Sequence, residues 1–225
     1  MNIAQTIDHT LLRPEQSTAA RIEQLCHEAI EYGFASVCVL PCYVSLAVKC
    51  LEGTAIPVCS VVGFPLGGNL AATKRVEAEQ LLQAGARELD MVMNIAALKS
   101  REYGTVFDDI AGVVETAHAH GAIVKVIIEC GALDDNEKLR AACIVSDAGA
   151  DFIKTSTGFG YGGVTIQDVR LLREHVAPHV KVKASGGIRT RAQALELLSA
   201  GADRLGTSAG VTIVTDSVDS PHSTY

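Results

Sequence analysis

A chain of 225 residues, 48 % hydrophobic and 20 % charged, is long enough for one sizeable core and has an ordinary globular balance. Its formal charge of −7 and its 4 % aromatic content exclude the basic patch or stacking platform that nucleic-acid binding requires. The seven cysteines form no CxxC pair, and with no leader segment and no membrane-length apolar run they predict a reduced, cytoplasmic protein without membrane contact.

Turn signals divide the chain into repeated units. Gly33, Gly85, Gly121, Gly149 and Gly201 each precede a short apolar run, and Pro57 and Pro178 open two more, giving a strand start roughly every 23–36 residues, the length of a βα unit. In chain order the predicted strands are Ile7–Leu11, Ser36–Leu40, Val58–Val62, Glu88–Met93, Val124–Glu129, Phe152–Thr155, Val180–Ala184 and Arg204–Gly206. The helical periods fall at Ser17–Tyr32, Leu70–Ala84, Asp108–His120, Glu137–Asp147, Ile166–Val176 and Arg191–Ala200. In the first, Ile22, Leu25, Ala29 and Ile30 share a face, with Ser17 as the expected N-cap. Thr165 and Asp168 resemble a capping box. Strands alternating with helices predict a parallel sheet covered by helices, and eight units predict a single-domain (β/α)₈ barrel over residues 1–216 with a flexible polar tail at 217–225. A doubly wound open sheet is the alternative, disfavoured by the lack of a GxGxxG turn after an early strand.

Charges inside these strands carry the functional signal. Lys154 and Lys183 lie in apolar runs, and a buried ammonium is costly unless it is paired or neutral. Strand parity puts Asp90, Lys125, Lys154 and Lys183 on faces that converge inside a barrel mouth. A structural ion-pair network explains one lysine with one aspartate well, and three lysines on three strands poorly. Excess positive charge around Asp90 favours a neutral lysine, the form that attacks a carbonyl to make an imine. Thr157-Gly158, Ser185-Gly186-Gly187-Ile188-Arg189 and Gly206-Thr207-Ser208 follow strand ends and offer backbone amides to a phosphate, with Ser208 placed to open a short helix. His9, His118 and His120 are expected to make structural or surface contacts, and Met91 and Met93 to pack. Cys38 and Cys42 lack a second ligand pair at zinc spacing, so no metal is expected.

Seven ordered stretches now make a resemblance visible: Ile7-Asp8-His9-Thr10-Leu11-Leu12, Val62-Gly63-Phe64-Pro65-Leu66-Gly67, Glu88-Leu89-Asp90-Met91-Val92-Met93-Asn94, Val124 to Glu129, Phe152 to Phe159, Val182 to Arg189 and Gly206-Thr207-Ser208. To about Val214 the chain resembles the 2-deoxyribose-5-phosphate aldolase family. The resemblance implies a class I lyase without metal or cofactor, splitting 2-deoxy-D-ribose 5-phosphate into D-glyceraldehyde 3-phosphate and acetaldehyde. It implies an imine on Lys154, with proton transfer by Asp90 and Lys183, where spacing alone left the choice between the lysines open. A phosphosugar is the expected small-molecule partner, and a homodimer or higher homo-oligomer the expected assembly. Another imine-forming sugar-phosphate aldolase or transaldolase, and a non-catalytic phosphosugar-binding barrel, are the competing readings. Two places stand apart from the family pattern. Leu40 stands before Pro41 where many relatives have Asn, and Tyr225 resembles a terminal tyrosine that delivers a proton in some members, with a disordered terminus as the alternative.

Overall fold

Local chemistry specifies both ends of the first long helix, α1 (Ala19–Tyr32). The Thr18 hydroxyl accepts the Arg21 amide, while Gly33, at φ 67°, donates its amide to the Ala29 carbonyl, a left-handed stop that suits glycine. The cap is Thr18 and not Ser17, because the Ser17 hydroxyl bonds the Arg13 carbonyl instead.

The computed structural model describes residues 2–216 and shows this strand–helix unit eight times over. The strands are β1 (Ile7–Leu11), β2 (Ser36–Val39), β3 (Val58–Val62), β4 (Glu88–Val92), β5 (Ile123–Ile127), β6 (Phe152–Lys154), β7 (Lys181–Ser185) and β8 (Arg204–Thr207). After α1 come α2 (Val44–Cys50), α3 (Ala71–Gln83), α4 (Ile95–Lys99), α5 (Tyr103–Ala119), α6 (Asp135–Asp147), α7 (Ile166–His175), α8 (Arg191–Ser199) and α9 (Gly210–Thr215). Each strand pairs in parallel with the next, and Ile7–His9 of β1 pair with Leu205–Thr207 of β8, so the sheet closes as the expected (β/α)₈ barrel. The predicted residue 225 and its neighbours from 217 onward lie outside the described residues.

Several boundaries differ for identifiable reasons. Glu129 takes φ 56° and cannot extend β5, so that strand ends at Ile127. Helices α2 and α4 are too short to show a sequence period. Pro41 opens the turn before α2, and the Asn94 side chain accepts the Ala97 amide to start α4. Thr165 accepts the Asp168 amide, but the Asp168 carboxylate accepts the Thr165 hydroxyl rather than the cap amide. Complete capping boxes open α6, through Asp134 and Glu137, and α8, through Thr190 and Gln193.

Strand parity divides the buried residues into two environments. Val37, Leu89, Met91, Val126, Ile153, Val182 and Leu205 face outward and form one apolar layer with Ile22, Leu25, Ile110, Val113, Val169 and Leu197 of the helices. Residues of the opposite parity, Asp8, Ser36, Glu88, Asp90, Lys125, Lys154 and Lys183, are also buried and occupy the barrel interior. The apolar layer between sheet and helices therefore stabilises the fold, which leaves the interior free to carry charge. One further buried pair lies outside the barrel. Lys74 donates to the Val92 carbonyl (2.8 Å) and to Asp109 (2.6 Å), and Asp109 also accepts the Asn94 amide (3.2 Å). This tie holds α3 and α5 against the C-terminal end of β4, the strand that carries Asp90.

Removing one partner of a buried pair strands the other charge, so Lys74→Met should cost about 3–5 kcal/mol, whereas Lys74→Met with Asp109→Leu should recover most of that loss. Denaturant unfolding of the two variants measures the difference. Equal losses would mean that the pair contributes packing and not charge compensation.

Candidate active site

Six interior side chains form a closed ring of alternating charge. Arg204 donates to Asp8 (Nε to Oδ1, 2.7 Å), and the other Asp8 oxygen lies 2.5 Å from Lys183 Nζ. Lys183 reaches Asp90 Oδ2 at 2.7 Å, and Asp90 Oδ1 accepts from Lys125 at 2.9 Å. Lys125 reaches Glu88 at 2.6 Å, and both Glu88 oxygens return to Arg204 Nη2 at 3.1 Å. Three cations and three carboxylates balance around this circuit. Lys154 is the seventh member. It hangs from Asp90 Oδ2 at 2.7 Å and, among the described residues, has no other carboxylate contact within 4 Å.

Burial by itself would raise the carboxyls and lower the ammonium groups. The ring reverses both effects. Despite complete burial, Asp8 is held well below the usual carboxylate range by Lys183, Lys125 and Arg204, and Asp90 by Lys125, Lys154 and Lys183. Burial likewise opposes charge on Lys183 and Lys125, but the carboxylates outweigh it and push both ammonium groups upward. The ring thus favours its lysines as cations and Asp90 as an anion in the resting site.

Above the ring, at the C-terminal strand ends, lies a cleft of about 260 Å³. Lys154 is the one network member that lines it, and every predicted phosphate residue does so as well: Thr157, Gly158, Gly186, Gly187, Arg189, Gly206 and Ser208. Asp90, Lys125 and Lys183 lie beneath this surface, within contact of Lys154 or of its carboxylate partner. Gly206 is small for a reason, since a Cβ there would come within 3.1 Å of Lys183 Cε. The loops are stitched together from below. The Thr207 hydroxyl donates to the Ile188 carbonyl (2.7 Å) and accepts the Ala209 amide (2.9 Å), and the Ser185 hydroxyl donates to the Ser156 carbonyl (2.6 Å). Glu129 accepts the Thr157 amide and hydroxyl. Helix α9 begins after Ala209, so Ser208 precedes the cap position and does not open the helix. The Arg189 amide is engaged by Gln193, and the residue is exposed at the rim of the cleft.

Sequence reasoning passed over Asp8, Glu88 and Arg204 of the ring, and Arg13 and Gln16, which line the cleft from the segment after β1. Parity carried a signal for the first three, since each is a charge of inward phase in a strand. Nothing in the sequence pattern marked Arg13 or Gln16. His9 faces away from the cleft, bonded to Glu28 (2.7 Å) and packed on Phe34. His118 pairs with Asp151 and His120 with Glu79 near the surface. Leu40 packs with Phe64 and Phe159 on a small apolar cluster of Leu12, Cys38, Cys59 and Val61. Cys42 is exposed and takes no part in a site. The sulfurs of Cys38 and Cys59 and an Asp90 oxygen lie within 4.8 Å of one another, the one grouping of potential metal donors among the described residues. Asp90 already binds three ammonium groups there, so the surroundings oppose an added cation. A larger cavity of about 530 Å³ between α4 and α6 is lined by Lys99, Tyr103, Glu137 and Arg140 and contains no member of the charge network.

This arrangement has relatives. The sequence profile of the DeoC/LacD family aldolases matches residues 2–214. A deoxyribose-phosphate aldolase of Caldanaerobacter subterraneus subsp. tengcongensis is 54 % identical over 215 residues, 95 % of this chain and 93 % of its own length. One of Thermococcus kodakarensis is 53 % identical over 96 % of this chain and 97 % of its own. The tetrameric deoxyribose phosphate aldolase of Aeropyrum pernix superposes with a TM-score of 0.88 at 38 % identity, covering 94 % of this chain and 89 % of that one. With its barrel, its lysine-lined cleft and these matches along nearly its whole length, the chain belongs to the DeoC/LacD aldolase family.

Proposed function

We propose that this enzyme reversibly cleaves 2-deoxy-D-ribose 5-phosphate to D-glyceraldehyde 3-phosphate and acetaldehyde through an imine on Lys154. One observation carries the assignment: the six-membered ring is balanced without Lys154, which alone among the network reaches the cleft with the phosphate loops. As the neutral amine, Lys154 attacks the C1 aldehyde of the open-chain sugar. The carbinolamine loses water, and the resulting cationic imine accepts the electrons of the C2–C3 bond as that bond breaks. The proton of the C3 hydroxyl passes toward Asp90. That carboxylate is buried below the cleft, so the transfer runs through an intervening water, and Lys183 holds the carboxylate in place and shares the proton. Protonation of the enamine at C2 and hydrolysis then release acetaldehyde and restore the amine. Phosphate held at Gly186, Gly187, Gly206 and Ser208 fixes which carbon faces Lys154, so remote binding lowers the chemical barrier.

The same reading makes the protein a homo-oligomer, in line with the tetrameric Aeropyrum pernix relative. It also places it in the cytoplasm. All seven cysteines are free thiols, as a reducing compartment favours, and no helix among the described residues is long and apolar enough to cross a membrane.

Borohydride reduction with acetaldehyde or deoxyribose 5-phosphate should leave a stable adduct on Lys154, and Lys154→Ala should lose both adduct and turnover. Peptide mapping that finds the adduct on Lys183 would overturn the assignment. Binding without a trapped imine would favour a non-catalytic barrel, and release of dihydroxyacetone instead of acetaldehyde a different aldolase.

The phosphate loops make a separate expectation. Ser208→Asp should weaken the phosphorylated sugar by about 1.5–3 kcal/mol, roughly ten- to over a hundredfold, and leave unphosphorylated deoxyribose nearly unaffected. Comparison of kcat/KM for the two sugars checks it, and equal losses would place the phosphate elsewhere.

A further inference from the structure

We propose that Arg204 is a positioning residue that sets the charge state of the site: by closing the ring at the N-terminal end of the barrel, it keeps Asp8 and Glu88 matched and leaves Lys154 the unmatched cation. The inference rests on the imine reading and deepens it. Arg204 touches both carboxylates and no part of the cleft, with Nε and Nη2 on Asp8 and Nη2 on both Glu88 oxygens. A planar fork bridges two carboxylates in this way, and a guanidinium keeps its charge at any working pH. Without Arg204, three carboxylates would face three lysines, and balance would be reached with Lys154 protonated. A cation at residue 204 therefore favours the free amine at residue 154, acting through Asp8–Lys183–Asp90 on one side and Glu88–Lys125–Asp90 on the other.

Other groups around the circuit are the Ser36 hydroxyl on Asp8, the Cys59 thiol on Asp90 and Lys125, and Cys38 beside Cys59. Lys181 lies at the exposed start of β7, over the Phe152 ring, and Glu129 is held by Thr157. None of these makes an ion pair with the ring, and all are unchanged by substitution at residue 204.

The test is the pH profile of borohydride trapping at Lys154 with acetaldehyde, alongside kcat and KM for deoxyribose 5-phosphate. Arg204→Met should move the acidic limb upward by about one pH unit, roughly a tenfold slower trapping rate below the limb. It should lower kcat and change KM by less than about threefold, because the phosphate loops are untouched. Arg204→Lys should restore the limb, and Glu88→Gln, which removes an anion, should move it in the opposite direction. Should Arg204→Met fail to fold, as a thermal melt will show, the opposite shift of Glu88→Gln and the wild-type limb of Arg204→Lys decide the matter. A wild-type limb in folded Arg204→Met, or an upward shift in Glu88→Gln, overturns the role of Arg204. Absence of a trapped adduct in the wild-type protein overturns the imine reading itself.

Discussion

Burying seven charges inside a closed sheet is the constraint on which this structure turns. A barrel has no edge through which a strand side chain can escape to water, and an unpaired interior charge costs several kcal/mol. The protein meets the constraint by alternation, with cations and carboxylates taking turns around the ring and Lys125 also reaching across it to Asp8 at 3.8 Å. Alternation also produces an asymmetry. A ring can balance only an even number of charges, and the seventh, Lys154, is left at the edge nearest solvent. The device that makes burial tolerable is the one that sets Lys154 apart.

The division of labour between the two sides of the sheet follows from strand parity. Outward residues such as Leu89, Met91 and Val126 join the helices in one apolar layer, so fold stability does not depend on filling the interior with branched side chains, as barrels commonly do. The tie from Lys74 to the Val92 carbonyl and Asp109 secures β4 from outside, at the strand whose Asp90 touches three lysines within. Thr207 and Ser185 bind the loops around the cleft to one another through short hydrogen bonds. The glycine-rich loops and Lys154 are in this way held in a fixed relation, the arrangement that the proposed reaction, directing one carbon of a long substrate to a lysine, would require.

Much of this was legible in the residues, and the omissions have definite causes. Lys125, Lys154 and Lys183 stood out because each interrupts an apolar run. Asp8 and Glu88 did not, because each begins or nearly begins its strand, where a charge usually means a solvated end. Arg204 lies at the start of a four-residue strand and was hidden for the same reason. Helices α2 and α4 escaped notice because seven and five residues are too few to show a 3.6-residue period. Ser17 was the expected cap, and only the Arg13 carbonyl, placed by the turn before it, engaged its hydroxyl and left the cap to Thr18.

The sequence by itself determined the unit and its repetition: turn residues at regular intervals, apolar runs of strand length, and charges of a single inward phase. It also pointed to the glycine-rich loops that line the cleft, because backbone amides offered by Gly186, Gly187 and Gly206 are a local property of the chain. Only the tertiary structure decided that the inward charges form a closed ring, and that Lys154 falls outside it. The reason is physical. Asp8 and Arg204 belong to the first and last strands, and they become partners only when the sheet closes. Charge balance is a property of the whole circuit, and no local segment contains it.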